Sequence, residues 1–230
     1  MKTDETRQRK RVRGKFSKNN TQKCYVLKCD IKKFFNSIDH DILLCLIQNR
    51  VKDNDAIWLI KEIIKSFSAS PNKGLPLGNI TSQLFANIYL NELDQFIKHR
   101  LKVEYYIRYS DDFVILSDSK ECLKELIFKM DEFLKEKLKL SFHSGKVIIG
   151  KYRQGIDFLG YVSLPDYTAL RTKTKRRIFG KMKFKRNKLR QGLIAKELFT
   201  QLLQSYYGVL EHCNGYKLKL KLDDLIKRYN

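Results

Sequence analysis

The sequence contains little of what marks several common classes of protein. It has 11 glycines and 3 prolines in 230 residues, which excludes a collagen-like chain or one dominated by Pro/Gly-rich disorder. No apolar run approaches the ~18 residues of a membrane-spanning helix, and the first residues lack the apolar segment of a signal peptide. We therefore expect a cytoplasmic protein with no membrane contact.

Metal-binding and disulfide patterns are also absent. The five cysteines are odd in number and form no Cys-x-x-Cys pair, and the four histidines show no ligand spacing. Neither a disulfide framework nor a zinc site is expected from such a pattern. The cysteines are predicted to be reduced thiols.

Acidic residues are scarce relative to basic ones. Lys and Arg number 47 against 25 Asp and Glu, which gives a formal net charge of +22. An excess of this size attracts polyanions over long distances, so nucleic acid is the first partner to consider. The 43% of hydrophobic residues suffice for a folded core.

The order of apolar patterns predicts an α+β protein in which an antiparallel sheet is backed by helices. The predicted strands cover 25–30, a hairpin at 105–109 and 113–116 around Ser110-Asp111-Asp112, 147–149 and 156–164. Four helices are predicted before the last sixty residues. The first begins near Asp39, the second carries Ile57 to Phe67, the third presents an apolar stripe from Leu84 to Ile97, and the fourth spans 123–138. Helical patterns fill the last sixty residues.

Three regions follow from these patterns and from charge. Residues 1–20 hold eight basic side chains without an apolar face, which predicts a flexible basic arm. Residues 21–168 form the sheet domain, and 169–230 form a helical domain that begins with eleven Lys/Arg and no acid between Arg171 and Arg190. We favour nucleic-acid contact for this block over a solvated amphipathic helix, because eleven like charges repel one another strongly.

Three carboxylates stand out in this basic chain. Asp30 ends a predicted strand, and Asp111 and Asp112 occupy the turn of the predicted hairpin. Carboxylates gathered at one sheet edge repel each other unless cations neutralise them, and their oxygens suit Mg²⁺ or Mn²⁺. Spacing alone leaves the alternative of ordinary turn chemistry open, because Asp-Asp pairs are common in turns.

Four segments resemble reverse transcriptase motifs A, B, C and E in order and spacing: Val26–Ile38, Gly74–Leu90, Tyr106–Leu116 and Phe158–Val162. From residue 24 onward the chain resembles a prokaryotic reverse transcriptase, closest to those of diversity-generating retroelements. The resemblance implies a polymerase palm followed by a helical thumb. It also implies template RNA, a primer and deoxynucleoside triphosphates as partners, two Mg²⁺ ions (or Mn²⁺) as cofactors, and a prokaryotic or phage-encoded cytoplasmic protein.

The resemblance assigns roles around the carboxylates. Asp30, Asp111 and Asp112 match the metal ligands, with the backbone carbonyl of Ile31 as an auxiliary ligand. Phe35 matches the aromatic gate that excludes a 2′-hydroxyl; a core Phe is the alternative. Lys146 resembles a lysine that donates a proton to pyrophosphate; a solvated surface lysine is the alternative.

Motif B departs from the common Gln-Gly-x-x-x-Ser-Pro pattern. Here Leu77, Gly78 and Gln83 stand in a Leu-Gly-x-x-x-Ser-Gln sequence, which resembles the variant of diversity-generating enzymes, whose errors fall opposite template adenines. These three residues are expected near the incoming nucleotide. Leu77 packing in the core is the alternative.

The basic block resembles the thumb helices that hold the template-primer backbone, which implies nucleic-acid contacts for Arg171, Lys173, Lys175, Arg176 and Arg177. In the family a fingers region precedes motif A, which here begins about thirty residues in. We therefore expect a truncated form or an accessory protein, and we expect this chain alone to be far slower than a full-length relative or inactive. The alternatives are a group II intron-like or abortive-infection reverse transcriptase, and an inactive basic RNA-binding remnant.

Overall fold

The computed structural model describes residues 24–227, which group into two compact units, 24–151 and 152–227. These units divide between Lys151 and Tyr152, earlier than the boundary at 168 expected from the sequence patterns. The division into palm (21–168) and thumb (169–230) stays a prediction. The predicted arm at 1–20 lies outside the described residues.

The first unit is built on a four-stranded antiparallel sheet. Its strands are β1 (Tyr25–Asp30), β2 (Tyr106–Tyr109), β3 (Asp112–Ser117) and β4 (Ile148–Lys151), in the order β2-β3-β1-β4. Aromatic and β-branched residues supply much of these strands, as their preference for a pleated, half-buried surface predicts. The sheet with its helices confirms the predicted α+β class.

Five helices belong to the same unit: α1 (Phe34–Ser37), α2 (His40–Gln48), α3 (Asn54–Lys65), α4 (Ile80–Gln95) and α5 (Lys120–Leu138). A π-helical turn, Phe96–Arg100, extends α4. The side chains of Asp39, Asp53 and Ser119 cap α2, α3 and α5 by accepting backbone N–H groups.

The core of this unit lies between one sheet face and the helices. Leu27 of β1 and Phe113 of β3 are fully buried there, together with Tyr89 of α4 and Met130 of α5. Leu84 was predicted on the apolar stripe of α4 but is 57% exposed. That prediction was wrong because Leu84 lies on the side of α4 away from the core, whereas the neighbouring Phe85 is buried.

The second unit combines a small sheet with three helices. A 3₁₀ turn, Tyr152–Gln154, precedes β5 (Ile156–Phe158), β6 (Tyr161–Ser163) and β7 (Thr168–Leu170), which pair antiparallel in that order. The two short strands predicted within 156–164 form a hairpin, in which the chain reverses at Leu159 and Gly160 with positive φ. The helices are α6 (Thr172–Arg190), α7 (Lys196–Glu211) and α8 (Tyr216–Lys227).

An apolar cluster holds these three helices together. Ile178 and Met182 of α6 are buried with Phe199 and Leu210 of α7 and Leu222 of α8. Across residues 24–227, no helix is long and apolar enough to cross a membrane.

Candidate functional site

Strand pairing brings together carboxylates that are distant in sequence. Asp30, the last residue of β1, lies directly opposite Asp112, the first residue of β3. Directly opposed residues in an antiparallel pair have Cβ atoms about 4.5–5.5 Å apart. Asp111 lies beside Asp112 in the turn that joins β2 to β3, after Ser110, whose φ is +54°.

The electrostatics of this cluster favour a neutralising cation. Burial raises the pKa of the Asp112 carboxyl, and the negative charges of Asp30 and Asp111 raise it as well. The positive charges of Lys28 and Lys146 act in the opposite direction. Asp30 is itself only 7% exposed, so its charge is poorly solvated.

Lys146 contacts the cluster directly. Its Nζ donates to Oδ2 of Asp30 at 2.8 Å, and this hydrogen bond is the main reason that the pKa of Lys146 is raised. The backbone N–H of His143 donates to the Asp30 carbonyl at 2.9 Å, and that of Lys146 donates to the His143 carbonyl. The loop is thereby held against the end of β1, 116 residues away in sequence.

The donor set has the chemistry that a hard divalent cation prefers. Asp30, Asp111 and Asp112 offer carboxylate oxygens, and the pKa of Asp112 is raised first by burial and then by the negative charges of Asp30 and Asp111. Within residues 24–227, no three His, Cys, Asp or Glu side chains are grouped closely enough to hold a metal ion by themselves. Ile31 follows Asp30, has its side chain 99% buried, and bridges to Phe142.

A cleft of about 470 Å³ opens in the same unit, and its walls contain four of the predicted site residues. The lining consists of Phe35, Leu77, Gly78, Gln83, Asn87, Arg108, Tyr109 and Ser110. Segments from motifs A, B and C therefore line one cleft.

The cleft residues differ in how they are held. Phe34 is 2% exposed and occupies the core, whereas Phe35 is half-buried and lines the cleft. Leu77 is 75% exposed, which excludes a core role within the described residues. Gly78 adopts φ +100°, a conformation that strongly favours glycine.

Sequence reasoning missed a polar network that ties the carboxylate turn to α4. Arg108 donates through Nε and Nη2 to the two Asp94 oxygens at 2.7 and 2.6 Å, and Tyr106 donates to Asp94 at 2.6 Å. Nη1 of Arg108 also donates to the Asn87 side chain at 3.2 Å and to the Ser110 carbonyl at 3.0 Å. The only sequence signal was the helical spacing of Gln83, Asn87 and Asp94 along one stretch of α4.

The predicted nucleic-acid residues of the second unit surround the start of α6. Arg171 precedes the helix, and its Nε lies 2.7 Å from the Asp157 carboxylate. Lys173, Arg176 and Arg177 are exposed, and Lys175 is half-buried. Arg171 is therefore already paired, while the next basic residues present charge to solvent.

Comparison with known proteins gives consistent matches. Residues 2–163 match the family described as reverse transcriptase (RNA-dependent DNA polymerase). The chain is 29% identical over 200 residues to the group II intron-encoded protein LtrA of Lactococcus lactis subsp. cremoris, covering 57% of this chain and 33% of that protein. It is 29% identical over 125 residues to the retron Ec73 reverse transcriptase of Escherichia coli, covering 49% of this chain and 38% of that protein.

A solved structure has the same fold. The structure of apo telomerase from Candida tropicalis superposes with a TM-score of 0.55 at 15% identity, covering 71% of this chain and 35% of that one. The chain thus spans well under two thirds of the length of these relatives. Because the family match extends over most of its residues, the chain belongs to the reverse transcriptase (RNA-dependent DNA polymerase) family.

Proposed function

We propose that this chain carries the nucleotidyl-transfer site of an RNA-directed DNA polymerase. The observation that carries the proposal is the pairing of Asp30 with Asp112 across β1 and β3, with Asp111 adjacent in the turn. Burial, together with the negative charges of Asp30 and Asp111, raises the pKa of Asp112, and buried, adjacent carboxylates match a site made for divalent cations. Asp30, Asp111, Asp112 and the Ile31 carbonyl would hold two Mg²⁺ or Mn²⁺ ions, which would activate the primer hydroxyl and stabilise the leaving oxygen.

The cleft residues would position the nucleotide. Phe35, half-buried at the edge of the cleft, is placed in this proposal beneath the sugar, where its ring would exclude a 2′-hydroxyl. Leu77, Gly78 and Gln83 would contact the base and sugar. Lys146 would release Asp30 when cations enter and donate a proton to departing pyrophosphate; its hydrogen bond to Asp30 supports its presence at the site.

The second unit would hold the template RNA and primer. Exposed Lys173, Arg176 and Arg177, with Lys175 beside them, are suited to phosphate contacts that do not depend on base sequence. Arg171 would also contact phosphate, but its guanidinium would then be shared between the phosphate and the Asp157 carboxylate. An accessory protein remains part of the proposal.

A finer proposal is that the enzyme belongs to the error-prone, diversity-generating type. The supporting observation is the exposed Leu77 in the cleft wall, where a glutamine would offer an amide to the nucleotide. The matches to a group II intron protein and a retron enzyme favour the second candidate, a reverse transcriptase of those types without mutagenic targeting.

Primer extension tests the main proposal. Residues 1–230 are incubated with poly(rA)/oligo(dT) and dTTP in Mg²⁺, in Mn²⁺ and in EDTA, beside Asp111→Ala and a surface control, Asp131→Asn. We expect metal-dependent extension that Asp111→Ala abolishes and Asp131→Asn retains, with RNA affinity equal in all three. The opposite result is RNA binding with no primer extension in Mg²⁺ or Mn²⁺, both in residues 1–230 and after this palm is grafted into a complete relative. That result would favour the inactive RNA-binding remnant.

A further inference from the structure

Helix α6 presents an exposed aromatic ring in a basic surface. Phe184 is 57% exposed, on a helix of 19 residues that contains no acidic side chain. The apolar cluster that packs this helix uses Ile178 and Met182 and, among the described residues, does not include Phe184. A single exposed Phe is common on protein surfaces, so its surroundings decide whether it has a role.

One face of the ring is already in contact with a cation. Nζ of Lys188, one helical turn after Phe184, lies 4.9 Å from the ring centroid. This arrangement is a cation–π contact. It fixes an ammonium group beside the ring while most of the Phe184 side chain stays in solvent.

The helix surface one turn before Phe184 carries no side chain, because residue 180 is a glycine. Long side chains on a helix lean toward its N-terminus, so Phe184 leans toward the turn that contains Gly180 and Lys181. A Cβ at Gly180 would meet no atom within 4 Å, and this glycine is not among those with positive φ. Glycine destabilises a helix interior relative to alanine, so neither backbone nor packing within the described residues explains Gly180.

The charges around this open surface define the ligand that fits it. Arg177 and Lys181 are exposed one or two turns before Phe184, and Lys188 follows it. Aromatic rings interleaved with Lys and Arg bind single-stranded nucleic acid, because bases stack on the ring while phosphates contact the cations. A missing side chain at Gly180 would let a base approach the ring closely.

We propose that Phe184 and Gly180 form a stacking site for one unpaired base of the RNA strand held by α6. This inference rests on the proposed contact between α6 and nucleic acid and adds a base-stacking contact to it. Lys181 and Lys188 then contact the phosphates on either side of the stacked nucleotide.

A fluorescent reporter tests stacking directly. Trp58 is the only tryptophan and lies in the other unit, so Trp58→Phe combined with Phe184→Trp places the only indole at the proposed site. Short oligo(rA) is expected to quench this fluorescence, whereas inorganic polyphosphate, which carries charge but no bases, binds without comparable quenching. No quenching at saturating oligo(rA) would overturn the inference.

Affinity measurements over a range of salt separate stacking from charge. Phe184→Ala should weaken oligo(rA) binding by about 5- to 100-fold, the usual effect of losing one base-aromatic stack, with the slope of log Kd against log salt unchanged. Gly180→Leu should weaken binding similarly without lowering the melting temperature. The matched control, Lys175, Arg176 and Arg177 all changed to Gln, should flatten the slope by about two units.

The outcomes distinguish this inference from the function on which it rests. Unchanged affinity in Phe184→Ala, with a flattened slope in the triple variant, would overturn the stacking site and leave the proposed nucleic-acid contact intact. A lower melting temperature in Phe184→Ala with unchanged affinity would show that the ring packs against protein, which also overturns it. If the wild type shows no salt-dependent oligo(rA) binding, the proposed α6 contact itself fails.

Discussion

At the scale of single residues, Asp30 shows how the site balances opposing charges. A buried carboxylate is costly unless it is paired, and Asp30 lies beside two further carboxylates that cannot pair with it. Lys146 supplies the compensating charge through its 2.8 Å contact. The Lys146 side chain is 54% exposed, so it can move away into solvent when a stronger cation competes for the carboxylate.

Arg108 is the residue that we expect to matter most beyond the carboxylates. Its side chain is 11% exposed, and its guanidinium joins Asp94 of α4 to the Ser110 carbonyl in the turn that carries Asp111 and Asp112. Arg108→Met should lower the free energy of unfolding by about 2–3 kcal/mol, because Asp94 loses charge-assisted hydrogen bonds. Urea denaturation of the whole chain measures this change.

Arg108→Lys provides the matched control for that prediction. Lysine keeps the charge but lacks the planar fork that contacts Asp94 with two nitrogens. We expect intermediate stability, and primer extension reduced more than RNA affinity, because the turn is held less firmly. If Arg108→Met had the same free energy of unfolding as the wild type, this network would not be important for stability.

Leu77 allows a test of fidelity. In a complete reverse transcriptase that carries this palm, Leu77→Gln should reduce misincorporation opposite adenine more than it reduces extension, since glutamine adds a hydrogen-bonding amide to the cleft wall. Sequencing of the products measures the error spectrum. Leu84→Gln is the control, because Leu84 is an exposed leucine of α4, the helix that follows Leu77, and is absent from the cleft lining. Equal spectra for Leu77→Gln and wild type would count against the idea.

At the scale of secondary-structure elements, the start of α2 is held by a charged cap. The Asp39 side chain is buried, accepts the Ile42 N–H at 3.2 Å and lies 2.8 Å from Nζ of Lys139 at the end of α5. Burial alone would raise the pKa of Asp39, but the contacts with Lys139 and Ile42 outweigh it, so the pKa is lowered. This ion pair joins two helices that lie 100 residues apart in sequence.

The lowered pKa predicts a dependence of stability on pH. A carboxyl whose pKa is lower in the folded state stabilises the fold above its unfolded pKa of about 4. The contribution is lost as the pH falls through the lower folded value. Asp39→Asn keeps the cap geometry but removes the charge, so the free energy of unfolding should fall less in acid in this variant than in the wild type.

Urea denaturation between neutral and strongly acidic pH measures this effect. Lys139→Met should behave like Asp39→Asn in acid if the ion pair is responsible. The same acid dependence in wild type and Asp39→Asn would show that other carboxyl groups determine it.

Most elements could be predicted from periodicity, and the exceptions have physical causes. A helix was predicted over 123–138, where the structure has Lys120–Leu138, because its apolar residues recur every three or four positions. Strands were predicted over 25–30 and 113–116, where the structure has Tyr25–Asp30 and Asp112–Ser117, because these segments are short and rich in aromatic and β-branched residues. Strand β7 was missed, since three residues are too few to show alternation. Helix α1 was missed because it follows Lys33, whose positive φ has no clear sequence signal.

The candidate site was predictable only in part. The resemblance pointed to Asp30, Asp111, Asp112 and the cleft residues, but residue patterns alone left turn chemistry open. The Lys146–Asp30 contact depends on a loop returning across 116 residues. The Arg108–Asp94 pair depends on packing between α4 and β2. Neither distance is encoded in local periodicity.

At the scale of the whole molecule, a chain with a net charge of +22 concentrates three acids at one end of a central strand pair. In a protein that attracts polyanions, carboxylates at this position would repel phosphate groups unless cations bridge the carboxylates and the phosphate. The proposed activity therefore requires that Asp30 and the Asp111-Asp112 turn form a single divalent-cation site.

Iron-mediated cleavage tests that claim most directly, because Fe²⁺ can replace Mg²⁺ and, with ascorbate and peroxide, cuts the backbone near its site. In the full chain we expect the backbone to be cut beside Asp30 and also beside the 110–112 turn, and we expect Mg²⁺ to protect both segments from cleavage. Cleavage at both segments should be lost in Asp112→Asn but kept in the surface control Asp131→Asn. Cuts at only one of the two segments, or cleavage that Asp112→Asn leaves unchanged, would contradict that claim.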